Sequence, residues 1–365
     1  MPNNVLVINP ARSSTRVALF ADDTCAFDDT LQHPLDEVAA FDTVWDQFPY
    51  RRHALEQALK ARGVSLSALQ AIAARGGLML PVGSGVYQVD EEMLNDLRLG
   101  AQGEHASNLG GALAFSLAHE AGIPALVVDP VAVDELEPVA RLSGVPELPR
   151  RSLFHALNLG ARARRAAAEQ GLSLDALNAV LVHLGRGTSV AAMCRGRVVD
   201  VNNAYEEGPF TPERAGTVPV GDLVRLCFSG RYTERELVRR LTVEGGLAAY
   251  LGTPDHLEVE RRVEQGDPLA SLVYEAMAYQ VAKEIGAMAC ALGRRPDVIV
   301  LTGDLAASSR LVAWIRDRIG YLAPVLVYPG GDEMAALAAG ALRVLRGEER
   351  PKLYRKGDVT PVAQL

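Results

Sequence analysis

Two stretches of the chain repeat one pattern of apolar and polar positions. Val5 to Leu19 and Val180 to Ala191 each run apolar, then through a turn of small and hydroxylated residues, then apolar again. Each reads as a β-hairpin with an open mouth. Recurrence half a chain apart suggests duplicated domains facing each other across a cleft, with N–H and hydroxyl groups aimed inward, an arrangement suited to gripping an anion such as phosphate. Between and after the hairpins the pattern predicts a helix over Phe48–Arg62 ended by Gly63. It predicts a short strand Ala71–Ala74 running into Arg75-Gly76-Gly77, and a helix through Glu120 capped by Ser107 or Asn108. Pro124–Val128 is a buried-type strand ending in Asp129-Pro130, and Arg151–Glu169 is an Ala- and Arg-rich helix suited to joining the halves.

The second half continues with strands at Ala179–Leu184, Ser189–Cys194 and Arg197–Val201, the last two joined by an Arg195-Gly196 turn. A long Gly- and Pro-punctuated loop covers Asn202–Gly221, and loops of that length in compact chains usually serve function. Helices are predicted over Asp222–Phe228, Thr233–Thr242, Leu269–Leu292 and Ser308–Ile319. A strand from Val298 feeds a small-residue turn at Gly303, Pro324–Tyr328 is a further strand, and Asp332 or Glu333 opens a last helix to Leu345.

Composition narrows the classes. A chain of 365 residues, 48% hydrophobic and 22% charged, has the make-up of an ordered two-domain globular protein. A net charge of −8 leaves no basic excess for nucleic acid or an anionic membrane, so any phosphate site must be local. The four cysteines lack metal or disulfide-framework spacing. No apolar run is long enough to span a bilayer and no signal segment is evident, so a cytoplasmic location is expected.

Several motifs together resemble butyrate kinase. They are Ile8-Asn9-Pro10 with Ser13-x-Thr15-Arg16, Arg75-Gly-Gly, His105-Ala-Ser-Asn-Leu-Gly, Val128-Asp129-Pro-Val-x-Val-Asp134, Arg150-Arg-Ser-x-Phe-His155-Ala-Leu-Asn158, His183-Leu-Gly-x-Gly, Gly208-Pro-Phe-x-Pro-Glu-Arg214 and Tyr328-Pro-Gly-x-Asp332-Glu333-Met334. The resemblance runs from Val5 to about Glu348. It implies the acetate kinase, hexokinase, Hsp70 and actin superfamily: two duplicated α/β domains of ribonuclease H-like type, each a five-stranded mixed sheet flanked by helices around a central cleft. The division is expected at residues 1–155 and 156–365, the C-terminal helix being able to cross back to the first domain.

The activity it implies is reversible, in-line phosphoryl transfer between ATP and a short-chain carboxylate, with Mg²⁺, in a homo-oligomer. By the resemblance, Arg75 holds the substrate carboxylate and His183 donates a hydrogen bond to the transferring phosphoryl, with His105 nearby. Asp129 and Glu333 orient or bind Mg²⁺. Asn9, Ser13, Ser14 and Arg16, then Gly185, Gly187, Thr188, Ser189 and Gly303, line the nucleotide. Relatives carry an arginine after Gly-Thr where this chain has Val218, and Arg214 is the substitute. Plainer uses remain open for some of these: a core histidine for His183, a structural role for His105, a turn-former for Asp129, a helix-dipole partner for Glu333.

The chain departs from the family at each nucleotide-facing turn. Ala11 and Arg12 stand for Gly and Ser, Arg186 for a middle Gly, and Asp304 for a Gly after Gly303. Two readings follow. Either Arg12 and Arg186 act as added phosphate anchors with Asp304 paired to one of them, or the nucleotide site is degenerate and the protein is a non-catalytic binding or scaffolding relative.

Overall fold

The computed structural model describes residues 2–100 and 102–355. It divides into two compact units. One comprises the described residues of Met1–Asp134 and Asp332–Leu365, and the other is Glu135–Gly331. The division thus falls at Asp134/Glu135, ahead of residue 155, because residues 135–155 are stitched to the second sheet. Glu137 N–H donates to Val199 O at 2.9 Å and Ala204 N–H to Leu153 O at 2.9 Å. Arg150 donates to Asp200 Oδ1 at 2.8 Å and to Val201 O at 3.0 Å.

In the first unit, β1 (Asn4–Ala11), β2 (Ser14–Ala21) and β3 (Thr24–Gln32) form an antiparallel meander. β4 (Ala71–Ala74) and β6 (Ala125–Val128) extend it in parallel with β1, while β5 (Val86–Gln88) runs antiparallel to β6. The short strand Lys352–Leu353 closes the outer edge, giving the order Lys352–Leu353, β5, β6, β4, β1, β2, β3. β1 and β4 are buried through nearly every position, as a strand covered on both faces requires. The core joins Leu6, Ile8 and Ile72 to Leu55 and Leu59 of helix Phe48–Ala61 and to Leu109 and Leu113 of helix Asn108–Ala121. The C-terminal helix Glu333–Leu345 also packs against β1, β4 and β6.

The second unit repeats the plan without the additions. β7 (Ala179–His183), β8 (Ser189–Cys194) and β9 (Arg197–Val201) form the meander, and β10 (Val298–Gly303) and β11 (Val325–Pro329) add in parallel, in the order β11, β10, β7, β8, β9. β3-β2-β1-β4-β6 therefore matches β9-β8-β7-β10-β11 strand for strand. The second core gathers on helix Pro268–Ala291, whose Tyr274, Met277, Val281 and Ile285 are buried with Val180, Val182 and Leu301.

Several expectations are corrected. The first sheet has seven strands instead of five, because β5 and Lys352–Leu353 add to its β6 edge. β3, absent from the sequence reading, is an edge strand with mostly exposed side chains and so lacks an apolar stripe. The helix expected from Arg151 begins at Ala156 and, instead of linking the halves, packs on β7 and β10 of the second unit. Helices Gly246–Leu251 and His256–Glu264 were not foreseen. Neither Ser107 nor Asn108 caps Asn108–Ala121 with its side chain. The Asn108 amide instead reaches out of the helix, accepting from Leu78 N–H at 2.9 Å.

Candidate active site

Three parallel neighbours in the first unit end together. Asn9, Arg75 and Asp129 stand at the carboxyl ends of β1, β4 and β6, where open α/β sheets hold their ligands. The loop after Arg75 is drawn against its surroundings: a Cβ at Gly76 would lie 2.5 Å from Pro130 Cβ, and one at Gly77 2.5 Å from Asn108 Cα. Glu333, opening the C-terminal helix behind the Asp332 cap, completes the group. Its Oε2 accepts from Asn9 Nδ2 at 2.8 Å and from Arg75 Nη1 at 3.2 Å. Glu333 is thus engaged by two side chains from strand ends, a more specific arrangement than complementing a helix dipole.

Among the described residues Arg75 makes this one ion pair, leaving most of its five donors for a ligand. Asp129 is buried, takes the Gly85 N–H at 2.6 Å on Oδ1, and adopts φ +37°. A non-glycine residue in the left-handed region stores strain, a feature that gathers at functional sites. His105 shares a hydrogen bond with Ser107 Oγ at 2.8 Å. Desolvation of the ring, then the positive charges of Arg75 and Arg51, hold it below the ordinary histidine range, so it is neutral at pH 7.

The first-loop residues separate in use. Ser13 and Ser14 are half-buried at the β1–β2 turn, whereas Arg16 grips Asp28 of β3 through Nε at 2.7 Å and Nη2 at 2.6 Å. That bidentate pair occupies the Arg16 fork.

In the second unit His183 ends β7. Its Nδ1 pairs with Asn158 Oδ1 at 2.9 Å, and its ring stacks on His155 with centroids 3.8 Å apart. His155 Nδ1 in turn meets Ser189 Oγ at 2.9 Å. Ser189 and Thr188 are buried, so the Ser189 hydroxyl serves the histidine pair. His155 lies in the Arg150–Asn158 motif, but sequence reasoning gave it no role. The signal was a second histidine flanked by the Asn158 that orients the first. A Cβ at Gly185 would stand 3.0 Å from His183 Nε2, so a side chain there would crowd that edge of the ring.

Arg214 lies against the same turn. A Cβ at Gly187 would overlap its guanidinium, which donates to Ala204 O and sits over the Tyr205 ring at 5.1 Å. Gly303 ends β10 at φ +91°, where a side chain would meet Leu184 O. Arg186 does not pair with Asp304. Its Nε donates to Glu213 Oε2 at 2.8 Å, with the side chain 78% exposed, while the Arg186 carbonyl accepts from Thr211 Oγ1 at 2.7 Å. Arg150 is half-buried between Asp200 and Glu207.

Among the described residues no cluster of three or more His, Cys, Asp or Glu side chains is placed to hold a metal ion. Mg²⁺ needs fewer from a protein, keeping waters and phosphate oxygens as its remaining ligands. Asp129 and Glu333 are donors of the right hardness, and among the described residues none donates a hydrogen bond to Glu333 Oε1.

With the geometry in view, comparison with known proteins is specific. Residues 148–319 match the acetokinase family. That segment lies wholly within the second unit and contains the histidine pair, the Gly185–Gly187 turn and Arg214. The fold is similar over nearly the whole chain to that of an acetate kinase from Porphyromonas gingivalis, with TM-score 0.77 and 19% identity over 94% of this chain and all of the other. A propionate kinase from Francisella tularensis subsp. tularensis SCHU S4 follows at TM-score 0.74 and 16% identity, covering 93% of this chain and 98% of the other. An acetate kinase from Entamoeba histolytica gives 0.72 and 16%, covering 93% and 99%. At these identities the likeness to the solved structures establishes the fold.

Proposed function

We propose that this protein is an acetokinase-family phosphotransferase that moves a phosphoryl group between ATP and a short-chain carboxylate, with butyrate as the preferred acid. The observation that carries the reading is the Asn9–Glu333–Arg75 group at the strand ends of a fold similar to acetate and propionate kinases. Arg75 presents a planar guanidinium with donors to spare, suited to bidentate capture of the acid. Because Glu333 already draws on one edge of it, the fork is held in orientation before the acid arrives. In the second unit Arg214, desolvated and without a hydrogen-bonded carboxylate partner, supplies positive charge beside Gly187. Asn158 holds the His183 ring through Nδ1, aiming its Nε2 edge past Gly185.

Phosphoryl transfer depends chiefly on such positioning and charge neutralisation. Mg²⁺, when bound, neutralises phosphate charge. Glu333 and Asp129 are the residues that would hold it or its waters. A homo-oligomeric state belongs to the same proposal. Arg186 is paired with Glu213 and so is not the partner that would neutralise Asp304. What weighs against a degenerate nucleotide site is that the chain retains Arg75, His105, Asp129, His183 and Glu333 together.

The test is ATP-dependent hydroxamate formation with acetate, propionate and butyrate. Turnover with butyrate fastest is expected. No turnover with any acid, together with no ATP binding by calorimetry, removes the kinase reading in favour of a non-catalytic relative.

A further inference from the structure

Arg51 has no task in the reading above, yet among the described residues it is the largest fully buried side chain. It sits near the start of helix Phe48–Ala61, and its hydrogen-bond partners are all neutral oxygens. Nη1 donates to Ala11 O and Ser14 O, both at 2.9 Å, and to Thr15 Oγ1 at 3.1 Å. Nη2 donates to Arg12 O at 3.0 Å and to Gln47 Oε1 at 2.9 Å, and Nε to the same Gln47 oxygen at 3.1 Å. The remaining carbonyl of the turn, Ser13 O, accepts from His33 N–H at 2.8 Å. All four carbonyls of residues 11–14 are therefore drawn to the protein side. Among the described residues, the Arg12 and Ser13 N–H groups donate to no protein acceptor.

A buried guanidinium without a carboxylate is costly, and holding a turn in shape does not require a full charge. The charge lies directly behind outward-facing donors, where it favours a bound anion.

We propose that Arg51 is the positioning residue of the β1–β2 turn. It turns the Ala11, Arg12 and Ser14 carbonyls inward, leaves the outer edge to N–H and hydroxyl donors, and lends its uncompensated charge to a phosphoryl oxygen seated there. Naming ATP as the source of that phosphoryl rests on the kinase reading, whereas the anion seat does not.

The experiment is calorimetric titration of pyrophosphate into the full-length protein and its Arg51→Lys and Gln47→Leu variants. Circular dichroism monitors folding, and KM is measured for ATP and for the acid. Lysine keeps the charge but cannot span three carbonyls from one nitrogen, so about tenfold weaker pyrophosphate binding is expected for a folded Arg51→Lys protein. KM for ATP should rise in step and KM for the acid stay unchanged, a split that general loosening would not produce. Gln47→Leu releases only the far side of the fork and is expected to weaken pyrophosphate binding in the same sense, which keeps the proposal testable if Arg51→Lys fails to fold. A wild-type protein that does not bind pyrophosphate, or folded variants that bind it with wild-type affinity, overturns the proposal. Binding that is lost in the variants, from a wild-type protein that phosphorylates no carboxylate, supports the role of Arg51 and overturns the kinase reading instead.

Discussion

Residue by residue, the proposed chemistry of the first unit rests on Arg75 and its carboxylate partner Glu333. Arg75 and Asn9 both donate to Glu333, which stands at a helix start where a carboxylate is already favoured. Arg75→Ala removes the guanidinium that stands at the end of β4. Turnover is expected to fall by on the order of 100-fold or more, while the Kd for ATP by calorimetry changes little. Unchanged turnover in that variant would refute the assignment. The sequence made Arg75 visible, since a charged residue between an apolar strand and Gly-Gly has no evident packing task. It could not show that Glu333, more than 250 residues away in the chain, accepts from Arg75 Nη1. His155 is a related case: the sequence shows a histidine three residues before Asn158, but not that its ring stacks on His183.

Among the elements, the β1–β2 turn shows how buried polar groups discipline a hairpin. His33, just beyond β3, shares a hydrogen bond with Thr15 Oγ1 at 2.8 Å and packs edge-on against Tyr50. Burial, then the nearby Arg51 charge, pushes its pKa down to about 4 from the ordinary 6.5. The fold therefore holds the neutral ring, while the unfolded chain binds a proton at higher pH. The stability contributed is complete above about pH 6.5 and is lost as pH falls through about 4. Chemical denaturation across this range should show wild-type stability dropping faster with acid than that of His33→Gln. Parallel pH profiles would refute the account. β1 and β7 were readable because central parallel strands are continuously apolar. β3 was not, because its exposed edge position permits almost any side chain.

For the molecule as a whole, the internal repeat is the organising fact, and the two sheets share a five-strand order. The C-terminal helix returns to the first unit and presses closely enough on β6 that a Cβ at Gly340 would lie 2.5 Å from Val128 Cγ1. Gly340→Ala is expected to destabilise the protein by about 1–3 kcal/mol, as overpacking does. The penalty should shrink in a Val128→Ala background, and thermal unfolding of the four proteins in the cycle measures it. Additive effects would mean that the contact is not what the glycine serves. The return of this helix also sets Glu333 beside Asn9 and Arg75, so packing at Gly340 and the hydrogen bonds of Glu333 depend on the same docked helix.

By itself the sequence determined the duplicated hairpins, the short apolar strands that follow them, the charged residue at the end of β4 and the balance of charge that leaves any anion site local. These are legible because apolar periodicity and turn chemistry are properties of neighbours along the chain. Only the tertiary structure decided that Glu333 partners Arg75, that His155 stacks on His183, that Arg16 is committed to Asp28 and Arg186 to Glu213, and that Arg51 holds the first turn from beneath. Each of these is a polar contact between distant residues, and the chain records such a contact only once packing has removed water and limited where each group can find a partner.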